Sequence, residues 1–229
     1  MRLLELRCAV LEANLELVRQ GLVLHTFGNA SGVDRASGVV IIKPSGVAYN
    51  ALTPEAMVAT DLDGRVLEGA LRPSSDLPTH LRLYRRFPAI GGVAHTHSEF
   101  ATTWAQAGRA IPCLGTTHAD YFAGPVPVTD ALSADQIAGA YEDETGAAIC
   151  ALLATLDALP PAVLVRGHGP FCWGRDAAEA AHIAAALESI AKMAYQTLQL
   201  AADAPPLAPA LHQRHYRRKH GKTAYYGQP

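Results

Sequence analysis

A chain of 229 residues, 49% apolar and 17% charged, has room for one large domain or two small ones and ample material for a core. Its formal net charge of -2 excludes a surface built throughout for nucleic acid, and no apolar window reaches transmembrane length. Cys8, Cys113, Cys150 and Cys172 form no Cys-x-x-Cys pair, and charges interrupt the N-terminal apolar spacing. The expectation is therefore a cytoplasmic protein with free thiols, without signal peptide, disulfide frame or thiolate zinc site.

Leu3, Leu4, Cys8, Leu11, Leu15 and Val18 recur at helical spacing, with Gly21 placed to end the helix. The β-branched run at 38–44, closed by Pro44, predicts a buried strand. Thr53-Pro54-Glu55 reads as a helix start, and the runs flanking Asp63-Gly64 read as a hairpin. Residues 78–86 predict an amphipathic helix, followed by the strand G-G-V-A-H-T-H. Next comes a helix capped by Ser98 and stopped by Gly108. Ser133 and Gln136 form a capping box that predicts one helix to about residue 156. Pro160-Pro161 precedes two strand-like runs around a turn containing His168, and an alanine-rich helix spans 176–202. Pro205, Pro206 and Pro209 separate that helix from a basic last segment. With no repeat and no dividing linker, the reading is a single α/β domain over residues 1–229. Its central sheet is mixed or mainly antiparallel, with helices on both sides.

In a strand, His95 and His97 project to one face, with α-carbons roughly 7 Å apart. On spacing alone that pair is equally a metal pair or a strand end held by backbone hydrogen bonds. His168, at the end of a second apolar run and flanked by glycines, offers a third imidazole. Three protein ligands with one position left open describe a catalytic zinc site. His80, His182 and His212 lie in helical or tail stretches, where a surface or capping role is expected. G-N-A-S at 28–31, K-P-S-G at 43–46 and R-P-S-S-D at 72–76 each join small residues to side-chain donors, a pattern that suits a phosphate. Singly, each reads as an ordinary turn. Asp120, in T-T-H-A-D-Y-F, reads as a general base or as a cap. The basic tail reads as a solvated face, or, from its aromatic end, as a segment packed on something.

Together, G-N-A-S-G-V-D, V-I-I-K-P-S-G-V, R-P-S-S-D-L-P-T-H, H-T-H-S, W-A-Q-A-G, G-T-T-H-A-D-Y-F, H-G-P-F-C-W-G and R-K-H-G-K-T-A-Y-Y-G-Q resemble the class II aldolase and L-ribulose-5-phosphate 4-epimerase family, its epimerase branch above all. The motifs occur in order from about residue 10 onwards. The resemblance implies Zn2+, or another divalent ion such as Mn2+ or Co2+, held by His95, His97 and His168 with Asp76. Related aldolases carry glutamate at that last position, so aspartate favours the epimerase. It further implies a phosphate pocket of Asn29, Lys43, Ser45, Gly46, Ser74 and Ser75. Asp120 and Tyr226 would be an acid/base pair, with Thr116, His215 and Arg218 in support. The tail 208–229 would complete a neighbouring subunit's site in a homotetramer.

The implied reaction interconverts L-ribulose 5-phosphate and D-xylulose 5-phosphate by retro-aldol cleavage of C3–C4 and re-addition. The alternatives are an L-fuculose-phosphate-type aldolase, a non-catalytic module of the same fold, and a nucleic-acid-binding tail. No membrane or nucleic-acid partner is expected. Arg166 and Phe27 depart from the family pattern, at positions expected to touch no ligand.

Overall fold

Successive strand residues face opposite ways, and here both faces are apolar, so the sheet must be covered on each side. The computed structural model describes residues 3–220 and 224–226; the remaining parts of the expected tail lie outside the described residues. Seven strands form one sheet: β1 (Asn29–Asp34), β2 (Val39–Ile42), β3 (Val58–Thr60), β4 (Val66–Glu68), β5 (Gly92–His95), β6 (Ala162–Val165) and β7 (Gly169–Gly174). Their order is β4-β3-β2-β1-β5-β7-β6, and every pairing between named strands is antiparallel.

Val39 and Ile41, Ala94, and Ala162 and Leu164 face one core, shared with α1 (Leu4–Arg19), α3 (Glu99–Ala107) and α7 (Ala177–Leu200). Val40 and Ile42, Val93, Val163 and Val165, and Phe171 face the other, shared with α2 (Leu77–Arg86) and α6 (Tyr141–Leu153). The short helices α4 (Thr116–Ala119) and α5 (Ala134–Ala138) lie in the connections, and α8 (Pro209–His220) packs on α4. Among the described residues no helix is long and apolar enough to cross a membrane.

Several expectations shift. Thr53 does cap, accepting from the Ala56 N–H, but only a single 3-10 turn follows. The Ser133/Gln136 capping box forms, yet its helix ends at Gly139 and a separate one starts at Tyr141. Ser98 makes no side-chain cap bond. G-N-A-S is not a turn: it opens the central strand β1, where Ser31 is sealed from solvent. His80 is no surface residue; it is fully buried on α2.

β1 and α2 meet through a polar ladder. Asn29 Nδ2 donates to Asp76 Oδ2 (2.7 Å), and Ser31 Oγ bonds His80 Nδ1 and Tyr84 Oη (2.7 Å each). Alternate residues of the strand thus read successive turns beginning at the N-cap of α2.

Candidate active site

Asn29 at the start of β1, His95 at the end of β5 and Phe171 within β7 sit side by side across the sheet. His97 stands two residues beyond β5, in the loop before α3, rather than in the strand. His168 occupies the β6–β7 turn after Gly167, whose φ of 73° is the left-handed conformation that glycine tolerates. The three imidazoles nevertheless converge: one ligand atom from each lies within 4.8 Å of the others.

Their chemistry fits a divalent ion. His95 Nδ1 faces the Pro170 carbonyl at 2.9 Å, which can only accept, so Nδ1 carries the proton and the Nε2 lone pair points inward. That Nε2 lies 3.1 Å from His97 Nε2, an approach a shared cation would favour. Burial holds His97 below the ordinary histidine range, and burial with the neighbouring His95 and His97 takes His168 down to about 4. Neutral imidazoles are the ligating form. Phe171 stacks on His95 with centroids 4.2 Å apart.

The K-P-S-G and R-P-S-S-D segments pair through Pro44 and Pro73, with the Ser74 N–H donating to the Lys43 carbonyl (2.9 Å). They bring Lys43, Ser45, Gly46, Ser74, Ser75 and Asp76 to the same cavity of about 350 Å3 as Asn29 and the three histidines. Lys43 is 2% exposed and its ammonium lies 4.8 Å from the centroid of the Tyr49 ring; burial lowers its pKa. Asp76 lines the cavity outside the three-histidine cluster. Burial opposes its ionisation, but His95, His80 and His168 and the Asn29 hydrogen bond outweigh that and hold it below the usual carboxylate range. Asn29 Oδ1 is buried without a hydrogen-bond partner among the described residues, an acceptor at the cavity wall.

Asp120, His215, Arg218 and Tyr226 form a second group that does not line this cavity. Asp120 follows α4, which Thr116 opens. Its Oδ1 accepts from Arg218 Nε (2.8 Å) and lies 3.1 Å from His215 Nδ1. Burial would raise its pKa, but Arg218 and His215 win and hold the carboxyl below its ordinary range. The Arg218 guanidinium lies 4.4 Å from the centroid of the Tyr226 ring, which is 58% exposed. His212 Nε2 donates to the Phe122 carbonyl, and exposed His182 meets Tyr121, in keeping with capping and surface roles.

Sequence reasoning missed Tyr141, whose hydroxyl lies 3.3 Å from His168 Nδ1 at the start of α6. The Gly139 break was the one local signal for it. Phe27, expected clear of the ligands, has its ring centroid 6.0 Å from that of His97.

The sequence pattern of the Class II Aldolase and Adducin N-terminal domain matches residues 8–195. The chain belongs to the class II aldolase family. The L-ribulose-5-phosphate 4-epimerase UlaF of Salmonella paratyphi C (strain RKS4594) is 51% identical to it over 225 residues, covering 98% of this chain and 99% of that protein. Among class II aldolase structures, an L-fuculose 1-phosphate aldolase superposes with a TM-score of 0.78 at 22% identity, over 93% of this chain and 95% of that one. The L-fuculose-1-phosphate aldolase of Thermus thermophilus gives 0.67 at 25% identity, over 88% and 98%.

Proposed function

We propose that this class II aldolase family member is a cytoplasmic, divalent-metal-dependent L-ribulose-5-phosphate 4-epimerase acting by retro-aldol cleavage of C3–C4 and re-addition. The observation that carries the reading is one cavity lined by three convergent histidines and by the Lys43, Ser45 and Ser74 donors. The full-length 51% likeness to an epimerase supports the substrate.

His95, His97 and His168, with Asp76 beside them, would hold a divalent ion, which would supply Lewis-acid chemistry at the ketose oxygens. Asn29, Lys43, Ser45, Gly46, Ser74 and Ser75 hold the phosphate and keep the cleaved aldehyde fragment in place while it turns over. Inverting C4 requires its oxygen to lose a proton on one side as the bond breaks and to regain one on the other side as the bond re-forms. Asp120, kept ionised by Arg218 and His215, suits the acceptor; the Tyr226 phenol suits the donor.

The whole chain acts as one domain, its tail 208–229 serving a neighbouring copy. Within one chain Asp120 and Tyr226 do not line the histidine cavity, which supports completion of the site between copies in a homotetramer. No nucleic acid or membrane enters the reaction.

The test supplies L-ribulose 5-phosphate to the purified, metal-loaded protein and follows D-xylulose 5-phosphate together with free glycolaldehyde phosphate. Epimerisation without fragment release is expected. Accumulating fragments would make it an aldolase, and no turnover with any divalent metal would sink the epimerase reading. Tyr226→Phe should keep its metal and lose most turnover; an unchanged rate would remove Tyr226 from the reaction.

A further inference from the structure

His97 stands in a loop of three residues between β5 and α3. Its neighbours Thr96 and Ser98 are 1% and 4% exposed, and Thr96 Oγ1 donates to Ser98 Oγ (3.3 Å), closing the loop behind the imidazole. Ser98 is also the N-cap of α3, and a serine there ordinarily accepts from the second or third helical amide. Here its side chain makes no cap bond. Those two amides are served from another helix. The Glu188 carboxylate, on α7, accepts from the Phe100 N–H (2.8 Å) and the Ala101 N–H (2.9 Å).

We propose that Glu188 is a positioning residue for the metal site: by capping α3 from α7, it frees Ser98 to hold Thr96 and so fixes the ring of His97. A carboxylate at a helix N-terminus also meets the positive end of the helix dipole. Farther along the same two helices, Trp104 Nε1 donates to the Ala191 carbonyl (3.0 Å), so α3 is tied to α7 at two points. Behind the loop, Gly169 passes so close to the Thr96 carbonyl that an added Cβ would lie 2.7 Å from that oxygen. The loop is therefore confined by β7 on one side and by the capped helix on the other.

The inference rests on the reading of His95, His97 and His168 as metal ligands. Its test is a chelator-competition titration of the full-length protein with Zn2+, with KM and kcat measured at saturating zinc. Glu188→Ala is expected to weaken zinc binding by about 10–100-fold, the range for lost outer-shell partners, with KM for the sugar phosphate unchanged once zinc is saturating. Glu188→Gln, which keeps one acceptor oxygen, should lose less, and Ser98→Ala should reproduce the loss of affinity. Asp176→Ala removes the cap of α7 itself, a 2.8 Å bond from the Glu179 N–H. It should lower stability without changing zinc affinity. Wild-type zinc affinity in Glu188→Ala, or an equal loss in Asp176→Ala, would overturn the role of Glu188 alone. A wild-type chain that binds no divalent metal would overturn the metal reading and this inference with it.

Discussion

Replacing Ser31 by alanine tests the ladder that sets α2 against β1. Ser31 Oγ joins His80 Nδ1 to the Tyr84 hydroxyl, and Ser31, His80 and Tyr84 are all 0% exposed. The substitution deletes one small polar group and takes the bridging partner from two buried ones. At about 1–3 kcal/mol for each orphaned group, the loss should reach about 2–5 kcal/mol once some relaxation is allowed. Tyr84→Phe removes a hydroxyl but leaves Ser31 bonded to His80, so about 0.5–1.5 kcal/mol is expected. The double variant has one orphan fewer than Ser31→Ala and should lose less than the sum of the two. Urea denaturation of each variant at one fixed protein concentration measures this. A loss below about 1 kcal/mol for Ser31→Ala, or strict additivity, would refute the ladder as a coupled buried unit.

Burial takes the His80 pKa from 6.5 to about 3. The stability this contributes is full above pH 6.5 and falls as pH drops toward about 3, because only the unfolded chain takes up the proton there. A flat stability profile of metal-free protein across that window would contradict it. Since His97 is also lowered and His168 lies near 4, protons compete weakly at those two imidazoles, and metal loading should persist below the ordinary histidine value of 6.5. Equilibrium dialysis across pH checks this, and a loading midpoint at 6.5 would argue against it. Gly92→Ala would place a Cβ 2.2 Å from the Asp176 carbonyl carbon and 2.3 Å from the Ala177 nitrogen. That forces the start of α7 off the sheet, and about 1–3 kcal/mol of stability should go with it; an unchanged melting temperature would show that the contact yields freely.

Legibility in the sequence followed chemistry more than periodicity. The β-branched run at Val39–Ile42 and the Asp63-Gly64 turn announced themselves because residue type and backbone agree there. β1 did not. Asn29, Ser31, Gly32 and Asp34 are poor strand formers, and they form one because its Asn29 and Ser31 face must carry hydrogen-bonding groups to α2. His80 was misplaced for the same reason, since a histidine on an amphipathic helix reads as surface until its buried partner is known. The three metal-type histidines were legible as types, but their convergence depends on the loop at His97 and the turn at His168, which no strand spacing encodes. Glu188 could not be found from the sequence, because it caps a helix far from it along the chain.

The separation of the Asp120 group from the histidine cavity carries a consequence for inheritance. On the proposed completion of each site between copies, a chain damaged at His97 would still have an intact Asp120, His215 and Arg218 to lend, and a chain damaged at Asp120 would still have its three histidines. Two alleles, each inactive alone, would then restore partial activity when expressed together, whereas two lesions in the same group would not.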